Sequence, residues 1–170
     1  MKSTPIADII LRPVAHADDS FLFELYAGTR AEEMALVPWS EGQKHTFVRQ
    51  QFEAQRQHYQ KLYPDATHHI ILCGEREVGR MYVARLPAEI RIVDLIVAAA
   101  ERNRGIGTLL LQSLMEESEQ AEKPLRIYVE SFNPSTRLFQ RLGFVPGDQQ
   151  GIHVLMAWSA NPKNRVVQHQ

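Results

Sequence analysis

Asp94 to Gln112, DLIVAAAERNRGIGTLLLQ, constrains this chain more than any other stretch, because an apolar segment runs through a charged glycine turn into an amphipathic one. Ile90, Ile92, Val93, Leu95, Ile96 and Val97 make a short β-branched-rich run that favours a buried strand. Ile106, Leu110, Leu114 and Ala121, flanked by Leu111 and Met115, recur at helical spacing and predict a helix with one stripe on a core. Between the two lies Arg102-x-x-Gly105-x-Gly107. Glycines at a first helical turn let the backbone approach a ligand closely, and N–H groups over residues 104–108 have no partner inside the helix while its dipole stands behind them. That geometry suits a phosphate, and Arg102 and Arg104 put guanidinium forks where a pyrophosphate would sit.

Other parts of the chain fall into place around this unit. Ile9 to Pro13 predicts a first strand ended by proline, and Asp18 reads as the N-cap of a first helix that ends near Gly28. A loop is expected over residues 30–39. Ser40 with Gln43 forms a capping-box pattern opening a second helix, whose stripe of Val48, Phe52, Tyr59 and Leu62 lasts until Tyr63-Pro64. From Thr67 the period changes to strands: His69 to Cys73, a Gly74-Glu75 turn, Val78 to Val83, then the Ile90 strand. Beyond the glycine helix come a Leu125 to Glu130 strand, a short helix opened by Asn133-Pro134 and closed by Gly143, and closing strands at Phe144 to Val145 and Ile152 to Trp158 joined through Gly147 to Gly151.

Composition excludes several classes. A net charge of -1 offers no basic stripe for nucleic acid. No apolar run approaches bilayer length, MKSTPIAD lacks the apolar core of a secretory leader, and a lone Cys73 gives no disulfide framework, so a cytoplasmic protein without membrane partners is expected. Cys73 itself reads as a small buried residue at a strand end. The adjacent His68 and His69 have no matching cysteine or carboxylate spacing, so no metal site is expected.

The glycine turn, its preceding strand and its Leu-rich helix resemble the acetyl-CoA signature of the GNAT superfamily of N-acetyltransferases. The second half agrees, because Asn133-Pro-Ser-Thr-Arg-Leu-Phe-Gln-Arg-Leu-Gly143-Phe144 is similar to that family's Asn…Leu-Tyr-x-x-Leu-Gly-Phe segment. The resemblance implies one α/β domain over residues 1–160, with a mixed, mainly antiparallel sheet of roughly six or seven strands flanked by about four helices, and a polar tail over residues 161–170. It implies acetyl-CoA as cosubstrate. Its pantetheine would lie along Leu95, Ile96 and Val97 like an extra strand, and its diphosphate would meet Arg102, Asn103, Arg104, Gly105, Ile106, Gly107 and Thr108, with Asn133 and Phe139 completing the contacts. Homodimers are common in the family.

The implied chemistry is direct acetyl transfer to a primary amine of a small molecule or peptide in a ternary complex. Backbone N–H groups would hold the developing oxyanion, and catalysis would be mainly positioning. Where the family usually carries a tyrosine acid, this sequence has Phe139, which donates no proton. A thiolate with a pKa of about 8 to 9, by analogy with cysteine, leaves without one. Asp94 is the first candidate base: on an alternating strand it shares a face with Ile92 and Ile96, where a carboxylate is either hydrogen-bonded in structure or positioned for use. Tyr128 and Glu130, on the polar face of the next strand, and His153 near the closing strand are further acid/base candidates. Acceptor recognition falls, by the resemblance, to Glu32, Glu33 and Trp39 between the first two helices and to His153; a cationic amine would meet charge and a cation–π face there. The plainer reading is that both glutamates are solvated and Trp39 covers a helix end. Arg85, Arg91 and Arg126 would equally suit an acidic acceptor.

Two other readings compete. A dinucleotide-binding domain explains Gly105-x-Gly107 before a helix, but the third glycine is replaced by Leu110 and the turn comes late in the chain. A non-catalytic acyl-CoA-binding regulatory module explains the missing acid at Phe139.

Overall fold

The computed structural model describes residues 8–164. The readings of residues 1–7 and of tail residues 165–170 lie outside the described residues. The elements are β1 (Ile9–Pro13), α1 (Asp19–Ala35), α2 (Glu41–Leu62), β2 (Thr67–Cys73), β3 (Arg76–Arg85), β4 (Ile90–Val97), α3 (Ile106–Ala121), β5 (Leu125–Glu130), α4 (Thr136–Arg141), β6 (Val145–Gln150) and β7 (His153–Trp158). The sheet has seven strands in the order β1-β2-β3-β4-β5-β7-β6. Pairs β1–β2, β5–β7 and β6–β7 are antiparallel and β4–β5 is parallel, which is the mixed, mainly antiparallel sheet expected. Among the described residues no helix is long and apolar enough to cross a membrane.

Contacts group the chain into two compact units: the residues up to Met81 with Ile96–Arg104, and Tyr82–Leu95 with the residues from Gly105 on. In the first, Leu22, Phe23, Tyr26, Val48, Phe52 and Ile70 form one core cluster. Phe52 is its centre, with its ring 5.6 Å from those of Phe23 and Tyr26. Arg49 and Arg56 roof the aromatic layer, 5.0 and 4.7 Å from the Phe23 and Phe52 rings, and both bond Asp19 at the start of α1. The capping box holds: Ser40 Oγ accepts from Gln43 N–H at 3.2 Å, and Gln43 Oε1 accepts from Ser40 N–H at 2.9 Å. Cys73 is buried at the end of β2. Burial, with Arg80, His69 and Arg56 nearby, pushes His68 down to about 4, which leaves the imidazole neutral at pH 7.

In the second unit, α3 buries Ile106, Leu110, Leu111, Leu114 and Ser118. β5 pairs along its whole length with β7, from Leu125↔Trp158 to Glu130↔His153. Asn133 Oδ1 accepts from the N–H and the hydroxyl of Ser135, at 2.9 and 2.8 Å, and so orders the entry to α4. Gly143, at φ 93, closes that helix.

Four local expectations are corrected. α1 does not stop near Gly28 but runs to Ala35, so Glu32 and Glu33 sit on a helix and not in a loop. A single glycine costs a helix only about 1 kcal/mol against alanine, and the residues after it are ordinary helix formers. Asp18 does stand at the N-cap of α1, but its side chain makes no cap bond; the carboxylate instead accepts from Ala15 N–H at 2.6 Å and from Arg12 at 2.9 Å. Ser118, not Ala121, completes the α3 stripe, because its hydroxyl donates to the Lys123 carbonyl and is satisfied while buried. The sixth strand does not end at Val145; it continues to Gln150, with a register shift between Pro146 and Gln149 absorbing Gly147 and Asp148.

Gly79 in β3 was not singled out by sequence, yet a Cβ there would stand 2.2 Å from the Ile96 carbonyl oxygen. Gly79→Ala must displace the end of β4 and is expected to lower stability by about 1–3 kcal/mol, measured by urea unfolding; an unchanged midpoint would show that the two backbones part without cost.

Candidate active site

β4 and β5 are parallel neighbours for three residues only, Ile90↔Leu125, Arg91↔Arg126 and Ile92↔Ile127. Both strands continue beyond that point, β4 to Val97 and β5 to Glu130. Burial follows: Ile90 and Ile92 are fully buried, whereas every residue from Val93 to Val97 is half-buried on both faces. Successive residues of a strand direct their backbone groups to opposite sides. With the Ile96 carbonyl facing Gly79 of β3, the backbone groups of Leu95 and Val97 face away from β3.

The turn after β4 is built in steps. Ala98 N–H donates to the Val78 carbonyl at 2.8 Å, Ala99–Glu101 make one 3-10 turn, and Arg102 Nε donates to the Val97 carbonyl at 3.2 Å. Asn103 (φ 62) and Gly105 (φ 82) are both left-handed, which reverses the chain into α3. Asparagine and glycine are the residues that adopt this conformation most cheaply. No side chain caps α3 at Gly105, and its first turn carries no acid. The first intrahelical bond reaches Leu109 N–H, from the Gly105 carbonyl at 3.0 Å. The N–H groups of Ile106, Gly107 and Thr108 precede that bond, which leaves an electropositive helix end free of carboxylates. At Gly107 a Cβ would meet only Leu138, at 3.6 Å, so protein packing alone does not demand glycine there.

Glu101, buried at 9 % exposure, was not among the expected site residues. It accepts from Arg76 at the start of β3 at 2.5 Å and from Arg104 through its other oxygen. Arg104, expected to face a phosphate beside Arg102, is therefore engaged in fastening the turn. Burial alone would raise the Glu101 carboxyl, but the bonds from Arg76 and Arg104 outweigh it and hold the group below the usual glutamate range.

The other expected residues separate by role. Asp94 is half-buried in β4. Glu130 and His153 are direct cross-strand neighbours on β5 and β7. Tyr128 lies under the Arg91 guanidinium, 4.9 Å from the ring centre. Phe139 is buried at 4 % exposure, edge-on to Phe144 at 5.3 Å. Glu33 is exposed and paired with Arg30 at 3.0 Å, Glu32 is exposed, and Trp39 rests edge-on against Phe47 at 5.3 Å. The arginines offered for an acidic acceptor are engaged, Arg85 with Glu117 and both Arg91 and Arg126 with Glu89. Among the described residues no group of three or more His, Cys, Asp or Glu is placed to hold a metal ion.

Because the folded value of Glu101 is depressed, its stabilisation is present above the usual glutamate range and is lost as pH falls through the folded value. Glu101→Gln is expected to cost roughly 1–3 kcal/mol at neutral pH, less than a fully buried pair because Arg76 is largely exposed. In urea unfolding the difference from wild type should shrink as pH falls below the usual glutamate range; a difference that persists in acid would show that charge is not what holds the turn.

The description of one family model, the acetyltransferase (GNAT) domain, matches residues 64–146. No curated protein matches the chain in sequence. Among solved structures, the PaiA N-acetyltransferase of Thermoplasma acidophilum, solved with coenzyme A, is similar at a TM-score of 0.67 and 16% identity, over 89% of this chain and 98% of that one. An acetyltransferase of Thermus thermophilus gives a TM-score of 0.64 at 18% identity, over 88% of this chain and 96% of that one. A GNAT acetyltransferase of Elizabethkingia anophelis with acetyl-CoA bound gives 0.56 at 17% identity, over 89% of this chain and 98% of that one. At such identities these likenesses speak for the fold, while the sequence match covers the strands, turn and helix that carry the motifs. Residues 64–146 thus match the acetyltransferase (GNAT) domain, and the chain has the fold of these acetyltransferases.

Proposed function

We propose that this protein is an acetyl-CoA-dependent N-acetyltransferase that transfers acetyl directly to a primary amine within a ternary complex. The observation that carries this reading is the early end of the β4–β5 register beside an uncapped α3 that follows two left-handed residues. An extended chain fits along a strand edge that has lost its neighbour, and a diphosphate fits the N–H groups of Ile106 to Thr108. That structural relatives were solved with coenzyme A or acetyl-CoA bound supports the choice of cosubstrate.

In this reading Arg102 supplies the cation for the diphosphate, while Glu101 and Arg76 hold the turn in shape. Bound acetyl-CoA supplies a thioester whose carbonyl carbon accepts the amine nitrogen and whose C–S bond then breaks. Leu95 N–H, directed away from β3, donates to the carbonyl oxygen as negative charge gathers on it. Asp94, half-buried among the isoleucines of β4, takes the ammonium proton directly or through water. Tyr128 and Glu130 are the hydroxyl and carboxyl groups of β5 available to return a proton to the thiolate.

The burial of Phe139 against Phe144 favours a second reading, a non-catalytic acyl-CoA-binding regulator, since no acid stands where the family usually has one. Calorimetric titration with acetyl-CoA and NAD, followed by a thiol-release assay over an amine panel, separates the possibilities. Acetyl-CoA binding without NAD binding, and thiol release that depends on an amine, are expected. Arg102→Ala should raise the KM for acetyl-CoA about ten- to hundredfold by removing one charge-assisted contact, and Asp94→Asn should lower kcat with acetyl-CoA affinity unchanged. Binding without thiol release across the panel would select the regulator instead.

A further inference from the structure

Of the expected acceptor residues, Trp39 lines a wide, open hollow with Gln43, Phe47 and Gln50, and a more enclosed space lies elsewhere in the same unit. A cavity of about 170 Å³ lies between one face of α1 and the end of β4 with its turn. Phe21, Leu25, Ile96 and Val97 give it apolar walls, and the two charged side chains on its lining are Glu24 and Arg102. Arg102 already donates to the Val97 carbonyl. Glu24 is exposed to the cavity side of α1 and makes no ion pair or side-chain hydrogen bond with another described residue.

Gly28 lines the same cavity one helical turn beyond Glu24. It sits inside α1, where glycine is unfavourable, and a Cβ there would meet nothing within 4 Å. Neither backbone conformation nor packing calls for glycine at this position. What its missing side chain does provide is volume next to a carboxylate. An apolar cavity of about 150 Å³ is enough to take up a benzene molecule, so the space beside Gly28 accommodates a group of phenyl size.

We infer that this cavity is the acceptor subsite, and that the acceptor is a primary amine on an apolar arm of about phenyl size, its ammonium paired with Glu24. The inference rests on the acetyl-transfer reading and names the substrate class of that site. The apolar arm lies against Phe21, Leu25 and Val97, and Glu24 selects for positive charge without entering the bond changes. Val97, which lines the cavity, is the last residue of the strand that this reading assigns to the cosubstrate.

The test uses the full chain with three measurements: calorimetric binding of acetyl-CoA, calorimetric binding of 2-phenylethylamine, and acetyl transfer to 2-phenylethylamine, ethylamine and spermidine. Wild type is expected to bind the aryl amine and to favour it over ethylamine by about ten- to hundredfold in kcat/KM. Glu24→Gln should raise the KM for 2-phenylethylamine about tenfold with acetyl-CoA affinity unchanged. Gly28→Leu should fill the cavity, fold with a Tm no lower than wild type, keep acetyl-CoA affinity and lose binding of the aryl amine. Two results overturn the inference while sparing the acetyl-transfer reading: transfer to spermidine or ethylamine with no aryl preference, or loss of acetyl-CoA binding in Gly28→Leu, which would give the cavity to the cosubstrate. Failure of wild type to bind acetyl-CoA at all would overturn that reading and this inference together.

Discussion

The parting of β4 from β5 is the constraint on which the rest of this structure depends. Three parallel pairs hold the strands at Ile90 to Ile92, and the ladder between them then ends while both strands go on. A strand is stable without one neighbour only if its other side is well held and its side chains are still half-buried. Here Gly79 lets the β3 backbone come close under Ile96, and the residues from Val93 to Val97 remain partly covered. The sheet therefore keeps its mechanical continuity through β3 while offering main-chain donors and acceptors on the other side. An enzyme that works by holding an extended, amide-containing cosubstrate needs such an edge more than it needs a reactive side chain.

The turn that follows has a similar economy. Its shape comes from two left-handed residues, and its rigidity from Glu101 gripping Arg76 and Arg104. A buried carboxylate shared between two guanidinium groups is costly to desolvate unless both bonds are made, and so it fixes where the turn lies. One consequence is a division of labour between the arginines of the motif: Arg104 is tied inward, and among the described residues Arg102 is bonded only to a main-chain carbonyl. The fold by itself selects no acceptor. The acceptor reading rests on α1, where a carboxylate and a glycine face a small apolar space.

Much of this was legible in the residues. The Ser40–Gln43 box, the Gly74-Glu75 turn, the Ile90 strand and the Ile106 helix each follow from short-range rules, because their signals lie within one or two turns of the elements they start or stop. The misplaced boundaries share a cause. At Gly28 a local helix breaker was outweighed by the residues on either side, at Ser118 a polar residue was buried because a distant carbonyl satisfied it, and at Gly147 a bulge let a strand pass a glycine. In each case a contact or pairing decided what propensity had left within about 1 kcal/mol.

Sequence alone determined the order of elements and the strand–glycine–helix unit, since these rest on periodicity and on residue types that tolerate only a few backbone conformations. Only the tertiary structure decided that β5 abandons β4 after Ile92, that Glu101 binds Arg76 some 25 positions away, and that Glu24 and Gly28 share a cavity with Val97. Those facts depend on pairings between residues far apart in the chain, and their energies are set by burial and by the partner each group finds. No local pattern encodes either.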